Sequence, residues 1–231
     1  MKRSNRCMCW DAVMSGPAAE ELWPSLDESI GRQPCFPPGP VWSILPTLKG
    51  QMADMLASIG SNEREGVSID STIGPVHIDP SANIEPCVHI IGPSYIGPNA
   101  TIRHGAYIRE FSWICANSLV GHASETKHSV LLPGAKAPHF NYVGDSVLGP
   151  NVNLGAGVKL SNLRNDGGEV HTRIDGERIA TGLRKFGAII GEDSQLGCNA
   201  VTNPGVVLGS RCMVMPNTTV TGIYEADSKI G

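Results

Sequence analysis

The sequence has no apolar run long enough to span a bilayer, and Met1, Lys2 and Arg3 are not followed by the apolar core of a secretory signal. A cytoplasmic location is the expectation. A disulfide frame is missing too: seven cysteines are an odd number at scattered spacings, which suits reduced thiols. Cys7 and Cys9 have no second pair at zinc-finger spacing, so no structural zinc is expected. Charge of one sign is scarce. A net charge of −4 gives no electrostatic footprint for nucleic acid or an anionic membrane as partner. Helical periodicity is nearly absent as well, while 27 glycines and 17 prolines fall largely at regular turns.

What is present is a period of six. Ile78, Ile84, Ile90, Ile96, Ile102, Ile108, Ile114 and Val120 keep one phase, and Ala82, Val88, Ser94, Ala100, Ala106, Ser112 and Ser118 follow four residues behind. The phase returns as Ile190, Leu196, Thr202, Leu208, Val214 and Val220. Neither a helix nor a plain strand holds one residue type in phase over so many sixes. Such a repeat predicts an all-β fold, a left-handed parallel β-helix in which three hexapeptides close a triangular coil of about eighteen residues. Each large aliphatic points inward, and residues eighteen apart stack about 4.8 Å from one another.

The chain divides accordingly. Residues 1–75 form an N-terminal extension, of which 1–39 carry no clear period although Trp10 and Trp23 argue against full disorder. Val41, Leu45, Leu48, Met52, Met55 and Ile59 predict a helix over about 46–59, ended by Gly60 and capping the open end of the prism. The β-helix runs over 76–223, with one phase slip near Tyr142 and Val143, and 224–231 are a short tail. Within it, 161–187 break the hexads and carry Arg164, Arg173, Arg178, Arg184 and Lys185. A long excursion from a regular solenoid is where binding is expected.

Stacking by eighteens places Lys127 over Arg109, with Arg103 on the adjoining face. Three outward cations suit a phosphate or carboxylate. A solvated face, with Glu85 pairing Arg103, is the equal alternative. His139 falls thirty-six residues after Arg103, two coils along the same edge if the register holds, and beside the phase slip. His104 and His122 should stack on each other. With no third imidazole in place to complete a zinc site, no metal is expected.

These residues also carry a family resemblance. The stretches Lys136 to Asp145 (with the motif Pro138, His139, Tyr142, Gly144, Asp145), Gly149 to Gly157, Ser161 to Gly167 and Gly182 to Gly191 resemble one group of proteins. It is the C-terminal acetyltransferase domain of bifunctional sugar-1-phosphate nucleotidylyltransferases, which make UDP-N-acetylglucosamine and related nucleotide sugars. The likeness extends over about residues 76–222. It implies His139 as general base, Arg103 and Lys127 as phosphate- and sugar-binding cations, and Tyr142, Asn153 and Asn162 as further substrate contacts. Ala156 would line the acetyl-CoA site. Departures fall on the coenzyme side, with Cys198 in place of a serine and Pro216 in place of an alanine. The first 75 residues contain no Gly-rich nucleotide loop, so uridylyl transfer is not expected.

The activity implied is acetyl transfer from acetyl-CoA to the amine of an amino-sugar 1-phosphate, such as glucosamine or galactosamine 1-phosphate, in a homotrimer. The alternative is a non-catalytic solenoid that binds a sugar phosphate or assembles partners.

Overall fold

The computed structural model describes residues 16–27, 29–62, 64–174 and 176–231. Trp10, and the Cys7 and Cys9 pair, lie outside them. From Ser68 to Ile230 the chain winds as a parallel β-solenoid whose short strands stack into three eight-stranded sheets. We name its faces by what lies on them. The covered face includes Ser94–Ile96, Ser112–Ile114 and Val130–Leu131. The side face includes Thr101–Ile102, Leu119–His122, Lys136–His139 and Asn153–Leu154, and the front face Tyr107–Ile108, Glu125–Lys127, Tyr142–Gly144 and Lys159–Leu160. The chain visits covered, side and front faces in that order in each coil.

The inward aliphatics behave as the hexads require. Ile78, Ile96, Ile114, Leu131, Leu148, Ile190 and Leu208 form one buried column, and parallel columns from the other two sheets complete the prism core. Burying an isoleucine side chain in this way contributes roughly 1.5–3 kcal/mol.

The repeat falters at one edge only, where the front face turns into the covered face. Between the inward Thr126 and Leu131, and again between Val143 and Leu148, the step is five residues instead of six, so the coils here pair at seventeen: Val130 with Trp113, Val147 with Val130 and Tyr142 with Glu125. The single slip expected near Tyr142 is therefore two shortened corners, at His128 and at Asp145. One coil later, the excursion 161–187 leaves from the same edge, so that Val147 pairs with Ile189. The excursion contains an antiparallel hairpin, His171–Ile174 with Glu177–Ala180.

The boundaries expected from the hexads are too narrow. Ser68–Asp70 already pairs with His89–Ile91, and Lys229–Ile230 still pairs with Met213–Val214. Val207 pairs with Ile223 after only sixteen residues, and this shorter coil hid the final turn from a search in sixes.

The helix over Ile44–Ile59 (α1) buries Ile44, Leu45, Leu48, Met52 and Leu56, and Gly60 ends it at φ 76° with its N–H on the Leu56 carbonyl. It does not cap the prism. Its apolar stripe and the segment before it share one buried cluster with Tyr95, Trp113, Val130, Val147, Ile189 and Val207, the outward residues of the covered face. Sixteen residues make a helix about 24 Å long, the height of roughly five coils. The reason is in those outward positions: a large apolar residue on the outside of successive coils makes a second hydrophobic surface that must be buried. The first coil is instead closed by Val67 and Ile69 against the prism core. The segment before the helix is pinned to the same face. The Trp23 indole N–H donates to the Ile190 carbonyl (3.0 Å), and buried Glu192 accepts from the Ser25 amide (3.0 Å) and hydroxyl (2.6 Å).

Candidate functional site

With one face covered, the front face and its two edges hold most of the residues singled out from sequence. At the edge where the side face turns into the front face, backbone hydrogen bonds join successive coils. The Phe140 N–H donates to the His122 carbonyl (3.0 Å), Gly157 to His139 (2.9 Å), Asn199 to Ala156 (2.8 Å) and Asn217 to Cys198 (2.9 Å). His122, His139, Ala156, Cys198 and Pro216 thus follow one another in a single column. His104 begins it, its ring stacked on that of His122 at 5.6 Å, as the spacing of eighteen requires.

The residue after each of these turns back in the left-handed region: Ala123 at φ 50°, Phe140 at 54°, Gly157 at 75°, Asn199 at 59° and Asn217 at 59°. A phenylalanine there is strained, since this region suits glycine and asparagine. Phe140 is nonetheless 58% exposed and set edge-on to His122. His139 is exposed, its amide held by the Asn141 side chain (3.0 Å), and its ring takes no hydrogen bond among the described residues. The register assumed between His139 and Arg103 does not hold. The seventeen-residue coil pairs His139 with His122, and Arg103 stands on the line of Gly121 and Pro138 instead.

On the front face, Tyr107, Glu125, Tyr142 and Lys159 form one outward row. Arg109 is taken up by Glu125 (3.0 Å) and Glu110 (3.5 Å), which removes it from the cationic set inferred from stacking. Tyr142 is half-buried. Burial and the nearby Glu125 and Asp145 carboxylates push its phenol up, against Arg109 and the Asn162 amide. Gly144, two residues on, explains why the motif has a glycine there. A Cβ at that position would stand 2.6 Å from the Tyr142 hydroxyl and 2.8 Å from Asn162 Nδ2, so these two groups lie directly over its backbone.

The far edge of this face carries the two shortened corners. His128 Nδ1 meets Asp145 Oδ1 at 2.7 Å, and Asn162 Nδ2 donates to Asp145 Oδ2. Burial pulls the Asp145 carboxyl upward, but hydrogen bonds from His128 and Asn162, with the Lys127 charge nearby, together hold it below its ordinary value. Next to this pair a cleft of about 480 Å³ opens between α1 and the excursion, lined among others by Lys49, Phe111, Lys127, His128, Asp145 and Lys185. Lys185 stands beside Lys127, whose charge, with partial burial, pushes the Lys185 ammonium down. Neither lysine makes a close ion pair with a carboxylate among the described residues; Asp145, already bonded to His128 and Asn162, is a carboxylate near both. Lys49 adds a third cation, over the Phe111 ring at 5.0 Å.

The structure therefore gathers His139 and Ala156 at one edge, Tyr142 and Lys127 on the front face, and Asn162 at the other edge. Arg103 and Asn153 are not brought to them. Both project from the side face, where Asn153 pairs in register with Lys136 and Arg103 follows Thr101–Ile102. Of the excursion's basic residues, Arg164 is held by Asp166, Arg173 by the Gly176 carbonyl, Arg178 by His171 and Arg184, at the cleft, by the Gly167 carbonyl (3.2 Å), which leaves Lys185. Sequence reasoning passed over Lys185 as a site residue, and over His128 and Asp145. The five-residue steps beside the last two were the available signal. Among the described residues no three His, Cys, Asp or Glu side chains converge as a metal site, and no helix is long and apolar enough to cross a membrane.

Fold and repeat define a hexapeptide-repeat β-solenoid. The family model described as bacterial transferase hexapeptide (six repeats) matches residues 187–222. The chain also matches GlmU-like bifunctional proteins. It is 45% identical over 96 residues to the bifunctional sugar-1-phosphate nucleotidylyltransferase/acetyltransferase of Sulfurisphaera tokodaii, covering 42% of this chain and 24% of that protein. It is 38% identical over 106 residues to the bifunctional protein GlmU of Methanococcus aeolicus, covering 46% of this chain and 26% of that protein. The matched segment thus spans about a quarter of these relatives' length. Among solved structures, a perosamine N-acetyltransferase mutant from Caulobacter crescentus in complex with CoA and GDP-perosamine aligns over 82% of this chain and 71% of that one, at TM-score 0.30 and 18% identity.

Proposed function

We propose that the chain is an acyltransferase that moves an acetyl group from acetyl-CoA to the amine of an amino-sugar 1-phosphate. The observation that carries this reading is the front face itself. An imidazole, His139, stands at one edge in a column with Ala156, Cys198 and Pro216, and two adjacent lysines in no close ion pair, Lys127 and Lys185, stand toward the other. The sequence relatives whose names include acetyl transfer support it. The acetyl-CoA thioester would lie along the His139 column. The phosphate would fill the gap between Lys127 and Lys185, where a dianion relieves the repulsion of two adjacent ammonium groups.

In this arrangement the amine attacks the thioester carbonyl, the new C–N bond forms, the C–S bond breaks, and coenzyme A leaves as its thiol. His139 takes the proton that the amine sheds, a step that such a base accelerates roughly 10²–10⁴-fold. Tyr142 and Asn162 orient the amine between phosphate and thioester. Arg103 and Asn153, on the side face, would serve a front face belonging to a second copy, so the working form is a homotrimer with sites between subunits.

The test is thiol release with acetyl-CoA and glucosamine 1-phosphate or galactosamine 1-phosphate. Wild-type protein should release coenzyme A with one of them, and His139→Ala should abolish release while the thermal melt stays unchanged. Full activity in His139→Ala would remove the base assignment. Sugar-phosphate binding with no release by the wild type would leave a binding module. Light scattering should give three times the chain mass.

A further inference from the structure

The His128–Asp145 pair has no part in the scheme above, yet it occupies both shortened corners of the solenoid. His128 is 13% exposed at its side chain, and its Nε2 is buried with no hydrogen-bond partner. The ring hydrogen therefore belongs on Nδ1, where Asp145 Oδ1 accepts it at 2.7 Å. An Nε2 shut away from solvent and from the cleft cannot itself reach a substrate. Its ring is wedged edge-on against Phe111 at 6.1 Å. Whatever His128 does, it does through Asp145.

Asp145 in turn has its second oxygen on the Asn162 amide nitrogen. The same amide nitrogen and the Tyr142 hydroxyl both lie over Gly144. The Asn162 nitrogen is thus engaged by Asp145, and its Oδ1 takes no hydrogen bond among the described residues. An asparagine side chain has two faces of nearly equal shape, and only its neighbours decide which one points outward. Here a carboxylate that accepts and never donates holds the nitrogen and leaves the carbonyl oxygen free to accept from another group.

We propose that His128 and Asp145 are positioning residues that lock the Asn162 amide with its carbonyl oxygen presented to the acceptor amine. This rests on the reading above in placing the amino sugar over Tyr142 and Asn162. His128 fixes the Asp145 carboxylate by occupying one oxygen, so that the other has a single direction to face. An outward acceptor suits an amine, which must be held by its N–H while its lone pair attacks.

Two substitutions at His128 separate positioning from folding. His128 sits at φ 45°, a region that glycine and asparagine enter readily. His128→Gly removes the donor without backbone strain, and His128→Asn keeps a donor near the place of Nδ1. In His128→Gly the KM for the amino-sugar phosphate should rise about tenfold or more, the scale of one misdirected polar contact, while the KM for acetyl-CoA is unchanged. His128→Asn should restore it. The side-chain amide signals of Asn162, assigned by their loss in Asn162→Asp, give a readout that needs no substrate. They should shift and exchange faster in His128→Gly and return in His128→Asn. Unmoved Asn162 signals in His128→Gly overturn the inference even if transfer activity is found. If the wild type proves inactive but the Asn162 signals follow this order, the acetyl-transfer reading fails and the positioning pair stands. Equal loss of both KM values, with a lowered melt, would mark His128 as structural only and also overturn it.

Discussion

Gly144→Ala tests the front face with a single methyl group. Gly144 is not in the left-handed region, so alanine meets no backbone strain, and the Asp145 N–H to Lys127 carbonyl bond (2.9 Å) beside it is untouched. The added Cβ would lie 2.6 Å from the Tyr142 hydroxyl, 2.8 Å from Tyr142 Cζ and 2.8 Å from Asn162 Nδ2. Ordinary contacts need about 3.4 Å or more, so the phenol and the amide must each retreat by roughly 0.6–0.8 Å. Both are at the surface side of the sheet and can move outward, so the cost to stability should stay near the low end of about 1–3 kcal/mol for overpacking. The cost to function should be larger, because a misplacement near 1 Å in a positioned group can lower a rate about 10²-fold. The expected result is a fall of about 10- to 100-fold in kcat/KM for the amino-sugar phosphate by thiol release. The KM for acetyl-CoA should hold, and the melt should move by only a few degrees. A kcat/KM within twofold of wild type, in a folded variant, would refute the placement of the acceptor over Tyr142 and Asn162.

Other expectations are independent of the reaction. Gly50 lies inside α1 with nothing within 4 Å of its would-be Cβ, so Gly50→Ala should stabilise the protein by about 0.5–1 kcal/mol in a urea melt. Ile114 is fully buried in the prism column, and Ile114→Ala should cost about 2–5 kcal/mol in the same measurement. Burial pushes the Cys115 thiol up and shields it, whereas Cys35, Cys87 and Cys198 are exposed. A thiol reagent should therefore modify those three in the native protein and reach Cys115 only on unfolding. Asp145 has a folded-state pKa below its unfolded value of about 3.9. Its stabilisation is full above that value and lost as pH falls through the lower folded pKa, so Asp145→Asn should flatten the acid limb of a stability–pH curve.

The hexads made the prism legible because its core needs one large inward residue every six and tolerates no other pattern. They failed where the inward residue is not aliphatic. Thr126 is buried in the core, its hydroxyl 3.0 Å from that of Ser112, but a threonine reads as neutral in a hydrophobic count. The next residues, Val130, Leu131 and Leu132, are all buried, two outward under the N-terminal segment and one inward, so the sequence alone allows either phase. The helix was legible by its stripe, its position was not. Nothing in residues 41–60 says which surface they cover, and that information sits in Tyr95, Trp113, Val130 and Val147, far along the chain. Lys127 was found by its spacing of eighteen from Arg109. Lys185 reaches it only because the excursion folds back over the same edge, a contact across 58 residues that no spacing rule contains.

Three departures from the repeat, at His128, at Asp145 and at residues 161–187, share one edge in successive coils, and that coincidence has a geometric reason. A regular corner points its side chains away from the faces, where they cannot converge on anything bound there. Removing one residue from a corner tightens it and rotates its side chain, much as a bulge re-aims a side chain in a sheet. Two tightened corners in register bring His128 against Asp145, and the following coil, freed from the repeat, brings Asn162 to the same carboxylate and Lys185 to Lys127. The opposite edge keeps its six-residue steps and so keeps His139, Ala156 and Cys198 in a straight column, the shape an extended chain such as a pantetheine arm would follow. In the proposed reading one edge of the front face takes a compact charged group and the other a linear one, with one strand's length between them.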